Sequence, residues 1–426
     1  MLVLFLNFIA YFFMMLFFIK KYKRKVSLEV ITFGIFSFFA LMGFLTYGAG
    51  IYESTFGKKN EQSLSVIPYI YCFLFVLITC IPLRGNLGIS NQSRSINPRK
   101  RNVIISIFFY IQLFSLILSL ILLAQRGFSL DYAEIYADAA NGVSEQFNSP
   151  LLQFLYSKSL FVFRIAPFFI WFFCFQILKE KWSSKAFIFI VMTFVSQIIP
   201  CVLNANRGGM FFCSVLFFAY YLFFRKKIVG KAQRSIYVSF VALSICVAMF
   251  SFAISLSRAG DNADEAKNAV ILRYFGEPFP NLGFNIWGHN INHPMGSRFF
   301  PSIFGTNISS YAYEGRNGGF LYWEHFVGIR MLNFKTIFGD TYIEFGVVGG
   351  FIFLIITTGV IYLCCRIVPK SLKPIVYFFY FNTCVWNVFL NKWGDERTWK
   401  DFLLLLIIIF FINKYCRSKI TLDRKT

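Results

Sequence analysis

Four arginines stand where a chain that is 57% hydrophobic has least room for charge. Arg207 lies in "LNANRGGMFF", between two long apolar runs, and Arg258 lies in "SLSRAGD", at the end of a third. Arg273, in "ILRYFG", follows about four helical turns later. Arg164, in "FVFRIAPFF", sits inside an apolar run. A guanidinium offers a planar fork of donors that matches the oxygens of a phosphate. Gly208 and Gly209 follow Arg207 at the start of an apolar run. A helix beginning there has unpaired N–H groups and a positive dipole end, and two glycines let an anion come close to its backbone. The pattern reads as a site for an anionic head group, with Arg207 and Arg258 at one depth and able to share a diphosphate. The competing reading is a tight hairpin turn with one interfacial charge. For Arg164 the alternatives are a functional charge within a span and a side chain that snorkels to the interface.

Acid–base candidates are fewer. His289 and His293, in "WGHNINHPMG", have the i, i+4 spacing of a metal pair, but Gly288 and Pro294 flank them and argue against a helix that would align them. His289 acting alone as a general base fits imidazole chemistry near neutral pH better. Asp340 and Glu344, one turn apart at the start of a late apolar run, are alternative bases or salt-bridge partners for arginines. "DNADE" (Asp261, Asp264, Glu265) can hold a divalent ion or simply start a solvated helix. The chain has no DxD, P-loop, GxGxxG or GxSxG motif. No metal and no cofactor is therefore expected.

The elements that must position these groups are membrane spans. Nearly uncharged apolar runs recur along the whole chain, and a soluble protein of 426 residues has too little interior to hide them. Eleven spans are expected, near 2–19, 28–47, 66–83, 103–123, 160–178, 186–203, 209–224, 235–256, 342–365, 374–391 and 401–413. The first run lacks a basic leader and a small-residue cleavage site, so it reads as a retained span. The cluster "KKYKRK" after it places the N-terminus outside and itself in the cytoplasm. With that orientation the cytoplasmic segments hold 26 of the 42 Lys and Arg and three of the 20 acids. The net charge of +22 thus belongs to one face of a membrane, which removes it as an argument for nucleic-acid binding. None of the ten cysteines falls in an outside loop, so no disulfide framework is indicated. Three regions follow: spans one to eight over 1–256, a large outer loop over 257–341, and spans nine to eleven with a cytoplasmic tail over 342–426. The loop carries all three histidines and many aromatics, including Tyr274, Trp287, Tyr322 and Trp323. It is expected to form a cap of short helices on the outer membrane boundary.

An aromatic-rich, eleven-span chain with "NANRGGMFF" opening its seventh span, a large outer loop after the eighth, and "FGDTYIEFGVVGGFIF" re-entering the membrane resembles the O-antigen or oligosaccharide repeat-unit polymerases of the Wzy type. The resemblance covers most of the chain as architecture and two short stretches as motif. It implies a multi-pass, all-α inner-membrane protein with a GT-C-like fold, and a glycosyltransferase that moves a growing polysaccharide from undecaprenyl diphosphate onto a new lipid-linked repeat unit at the periplasmic face. A chain-length regulator protein is the partner it implies. Family arginines in the outer loops are thought to engage the diphosphate; Arg207 matches that role by motif, and Arg258 and Arg273 by position.

The residues fit such chemistry without a metal, because arginines and a helix N-terminus can stabilise the departing diphosphate. Two other readings compete. An O-antigen ligase shares the outer loop and the arginines but uses lipid A-core as acceptor. A flippase or exporter would line several midplanes with charge, whereas Arg164 alone lies within a span. The orientation is open to direct test. Alkaline phosphatase fused after residue 300 is expected to be active and a fusion after residue 230 inactive; the reverse pattern would turn every candidate residue toward the cytoplasm.

Overall fold

The computed structural model describes residues 1–23, 27–51, 64–84, 97–125, 149–203, 206–257, 272, 274–304, 322–329, 336–388 and 391–417. Among these the protein is all-helical. Eleven helices have thirteen residues or more: α1 (Leu2–Lys21), α2 (Leu28–Gly48), α3 (Ile67–Thr79), α4 (Pro98–Gln125), α5 (Pro150–Glu180), α6 (Ser184–Leu203), α7 (Arg207–Phe224), α8 (Gly230–Ser257), α9 (Thr336–Ile367), α10 (Lys373–Trp386) and α11 (Glu396–Arg417). Eight of them are long and apolar enough to cross a membrane; α3 and α10 are shorter, and α11 is more charged. The chain is thus a multi-pass, all-α membrane protein.

Local sequence marks the helix ends. Ser27 caps α2 by accepting from the Val30 N–H at 3.3 Å, and prolines open α3, α4, α5 and α10 within their first two positions, where a missing N–H costs nothing. Lys20 and Lys21 close α1, favourably placed at the negative end of its dipole.

Two helices form the centre. The second half of α5, from Ile165 to Phe175, is buried without interruption, and so is α10 from Pro374 to Phe381. Lipid tails are as apolar as leucine, so burying phenylalanine gains little by transfer alone, and close contact must hold the bundle. The 59 phenylalanines supply it with rings. Tyr220 of α7 stacks on Phe378 of α10 with centroids 3.7 Å apart, and its hydroxyl donates to the Phe168 carbonyl of α5 at 3.0 Å. Tyr380 of α10 donates to the Thr79 carbonyl of α3 at 2.6 Å. These two hydroxyls are met by backbone groups of a neighbouring helix.

The basic segments gather at one end. Arg101 of α4 forks onto Glu180 of α5, Lys100 donates to the Tyr415 carbonyl of α11, and the Val229 N–H before α8 donates to the Leu178 carbonyl at 3.2 Å. The other end, called the loop end below, gathers residues 274–304, the start of α9 and the described part of the α10–α11 turn.

The described part of the large loop departs from a cap resting on top. Residues 278–286, a turn of α-helix followed by a π-helical turn, are almost entirely buried against α2, α3 and α9. Their sequence, "PFPNLGFNI", is apolar enough to sink into the bundle. Phe279 packs among Tyr11 and Phe338, and its carbonyl accepts from the Tyr69 hydroxyl at 3.2 Å. The Thr46 hydroxyl of α2 donates to the Leu272 carbonyl at 2.7 Å. Gly276 permits the approach: a Cβ there would sit 1.9 Å from Thr46 Oγ1 and 2.5 Å from the Met42 carbonyl. Neither the α2 backbone nor a threonine already bonded on both sides can yield cheaply. Gly276→Ala is expected to cost about 1–3 kcal/mol by overpacking. The check is the melting temperature of the detergent-solubilised protein; no change would mean that this segment does not seat on α2.

Candidate functional site

Helix α9 does not run through. At Gly346 the backbone turns to φ 68°, ψ −169°, dividing it into an outer half, 336–345, and a long inner half, 347–367. A side chain is strained in that conformation, and His293 Nε2 lies 3.4 Å from the point a Cβ would occupy. Breaking a helix frees carbonyls, which are costly away from water. The loop "NHPMGSR" meets them. His293 Nδ1 lies 2.8 Å from the Ile343 carbonyl, and the Met295 N–H donates to the Glu344 carbonyl at 3.0 Å.

The same loop seats a buried charge cluster. Arg298 Nε donates to Glu344 at 2.9 Å, Nη1 lies 2.8 Å from an Asp340 carboxylate oxygen, and Nη2 donates to the Asp340 carbonyl at 3.1 Å. Glu344 also accepts from the Gly296 and Arg298 N–H groups at 2.8 and 3.2 Å. Its side chain is wholly buried, and those of Arg298 and Asp340 are 13% and 14% exposed. Burial works against the Arg298 charge, but the two carboxylates outweigh it and hold the guanidinium above its usual value. Of the roles open to Asp340 and Glu344, the structure takes the salt bridge. Their partner is Arg298, not one of the four arginines singled out in the sequence. The Glu344 oxygens thus already have the Arg298 guanidinium and two N–H groups as partners.

The histidines are anchored apart. His289 is exposed, with Nε2 3.1 Å from the Phe284 carbonyl, and residues 287–293 are not helical, so the i, i+4 spacing aligns nothing. A carbonyl can only accept, which fixes a proton on Nδ1 of His293 and leaves Nε2 as its basic nitrogen. The exposed His293 ring stands edge-on to Tyr342, which stacks on Trp287 with centroids 4.6 Å apart. His293 Nε2 thus lies beside a flat aromatic pair.

A second cluster lies at the same end. Arg207 opens α7, with its guanidinium carbon 4.2 Å from the centre of the Tyr274 ring. Asn206 caps the helix, its Oδ1 accepting from the Gly209 N–H at 2.9 Å. Gly208 and Gly209 are both buried: a Cβ on Gly208 would meet the Tyr274 hydroxyl and Trp386, and one on Gly209 would meet the Cys201 sulfur and Asn206. The expectation that these glycines open the backbone to an anion is thus not what the packing uses. The Gly209 donor is already taken by the cap, and both glycines serve close contact. Lys392 sits 5.0 Å over Trp386, so each aromatic ring beside Gly208 carries a cation. Burial depresses the Lys392 ammonium, offset by Asp395 at 3.7 Å. Arg164 lies within electrostatic reach of Lys392 and forks onto Asp401 of α11 at 2.7 and 2.8 Å. It is therefore neither an isolated charge nor a simple snorkel, but the half-exposed member of an ion pair. Arg258, Arg273, Asp261, Asp264 and Glu265 lie outside the described residues.

Two further features frame this cluster. Between α6 and α8 runs an apolar groove of about 200 Å³, lined by residues including Ile198, Val202, Leu243 and Phe250. Val202 in that lining is the sequence neighbour of Cys201, whose sulfur lies beside Gly209. The α10–α11 turn ties the two clusters together. The Asn387 carbonyl accepts from the Ile337 N–H at 2.8 Å, and Asn391 lies 3.4 Å from the Thr341 hydroxyl. No protein-family model, curated protein or solved structure matches the chain.

Missed in the sequence were Arg298, Lys392 and Asp401. Arg298 and Asp401 meet partners 42 or more and 237 residues away, which no local spacing announces, and Lys392 meets a ring six residues back as well as Asp395 three residues on. Removing the cation from a buried cluster leaves two facing carboxylates. Arg298→Met is expected to cost about 3–5 kcal/mol, and adding Asp340→Asn and Glu344→Gln to the same chain should recover most of it. Thermal unfolding in detergent reads both; a single variant as stable as the parent would mean the cluster does not form.

Proposed function

We propose that the protein is a glycosyltransferase that polymerises undecaprenyl-diphosphate-linked oligosaccharide repeat units at the outer face of a bacterial inner membrane. In this reading all eleven long helices span, in a GT-C-like arrangement. The N-terminus is periplasmic, the C-terminus is cytoplasmic and the loop end is the reaction face. The observation that carries the proposal is Arg207 at the head of α7 over Tyr274, with Lys392 over Trp386, the other ring beside Gly208, and an apolar groove between α6 and α8 that includes Val202 near the end of α6. A polyprenyl diphosphate has this shape of chemistry: an uncharged branched tail and a dianionic junction at the interface.

The groove takes the tail, and Arg207 and Lys392 take the diphosphate. As the glycosidic bond to the donor breaks, negative charge grows on the leaving phosphate. Cations held on aromatic rings need little rearrangement to receive it. Arg258 and Arg273 join them in the form the resemblance gives. The acceptor's sugar hydroxyl needs a base on its own face of the ring. His293 Nε2 is the better oriented candidate, because its other nitrogen is pinned to the broken helix; His289 remains the second. Trp287 and Tyr342 present the platform on which a sugar face stacks. Arg164 holds the site's edge through Asp401. No step needs a divalent ion.

If Arg207 grips the diphosphate with two parallel donors, an ammonium cannot replace it. Losing that contact is expected to cost about 2–4 kcal/mol of transition-state stabilisation, roughly 30- to 1,000-fold in rate. The test is complementation of a deletion strain, with variants matched for membrane level by immunoblot and lipopolysaccharide read on a gel. Arg207→Ala should leave core plus one repeat unit, and Arg207→Lys a severely shortened ladder or none. A full ladder from the lysine variant would return Arg207 to an interfacial hairpin charge. A deletion strain with core and no repeat unit at all would favour the ligase.

A further inference from the structure

At the basic end, away from the loop end and its clusters, α4, α5 and α6 border an open cavity of about 320 Å³. Its mouth is polar and basic, with Arg101, Asn102, Lys181, Ser183 and Lys185, and its depth is apolar, with Ile105, Ile177 and Phe189. We propose that this cavity binds the phosphate head group of an anionic phospholipid in the leaflet at the basic end. The proposal does not depend on the reaction assigned to the loop end.

Three observations converge on a phosphate. Arg101 is only 5% exposed, and while its two terminal nitrogens fork onto Glu180 at 2.8 and 3.0 Å, its Nε is buried with no hydrogen-bond partner among the described residues. A guanidinium buried in a cavity wall with a donor unused is costly unless a ligand or solvent approaches it. Second, two long helices begin at this mouth, α4 at Pro98 and α6 at Ser184, and their positive dipole ends add to the field. Asn97 and Ser183 cap them by accepting from the Arg99 and Ala186 N–H groups, so the helix ends contribute charge rather than free donors. Third, Lys181 and Lys185 are exposed at the rim, where flexible ammonium groups can close over an anion. Glu180 is the one carboxylate in the lining, and Arg101 neutralises it.

The shape selects lipid over a soluble anion. A free phosphate has no use for an apolar floor, whereas a phosphodiester on glycerol brings acyl chains that continue along α4 and α6 toward the lipid. Basic pockets between spans on one leaflet are a recurring form of anionic-lipid site.

The test uses the full-length protein in detergent, titrated with phosphatidylglycerol, phosphatidylcholine or inorganic phosphate. The tightest-bound lipid is followed by native mass spectrometry. Phosphatidylglycerol is expected to bind at least tenfold tighter than phosphatidylcholine, and inorganic phosphate to displace it only in large excess. The paired substitution Lys181→Gln with Lys185→Gln changes exposed side chains and should weaken that event at least fivefold. A control pair, Arg225→Gln with Lys226→Gln, removes the same charge from another basic segment and should not. Equal loss from both pairs would mean general attraction to a basic surface. No preference for phosphatidylglycerol, or inorganic phosphate competing at equal concentration, would equally overturn the lipid site.

Discussion

A helix that breaks within a bundle must find new partners for the carbonyls it frees, and the loop end is organised around meeting that demand at Gly346. His293 and Met295 take the released carbonyls of Ile343 and Glu344. The loop that brings them is fastened by the Glu344 carboxylate itself, through Gly296 and Arg298. Backbone satisfaction and charge satisfaction thus close on the same short segment, and each requires the other. The orientation of His293, the platform of Trp287 and Tyr342, and the seating of Arg298 all follow from this closure.

The cation cluster around Arg207 is built on a different principle. Its cations stand on aromatic faces, Arg207 on Tyr274 and Lys392 on Trp386, with Asp395 3.7 Å from the Lys392 ammonium. A ring attracts a cation without cancelling its charge. Arg164 and Arg298, by contrast, are forked onto carboxylates and are spent on structure. This division separates the arginines more sharply than their depth in the membrane does.

The long helices were legible because apolar runs with charged punctuation report span length directly, and eight of the eleven expected spans appear as helices long and apolar enough to cross a membrane. The short ones were the hardest to judge: α10 has only fourteen residues, yet it lies in the centre of the bundle. The start of α9 was read late, at 342 rather than 336, because Thr336, Gly339 and Asp340 look like loop until long-range bonds are known. "EFGVVGGF" offers three glycines as break points, and only the approach of His293 singles out Gly346. The start of α7 at Arg207 was legible from its neighbours in sequence, but the packing of its glycines was not. Whether a glycine admits a ligand or a neighbouring helix depends on what the fold brings against it, here Cys201, Tyr274 and Trp386. The apolar π-turn of the outer loop was hidden for the opposite reason: its nine residues are too few to register as a buried element.

The bonds from the α10–α11 turn to α9 also set an order of assembly. Ile337 and Thr341 find their partners in Asn387 and Asn391, fifty residues further along the chain. During synthesis the inner half of α9 can enter the membrane as soon as it leaves the ribosome, since its own hydrogen bonds suffice. The outer half makes its two bonds to the turn only once α10 and that turn have been synthesised. The last two helices therefore complete the polar end of the molecule, although none of its candidate reactive groups except Lys392 lies in them or in the turn between.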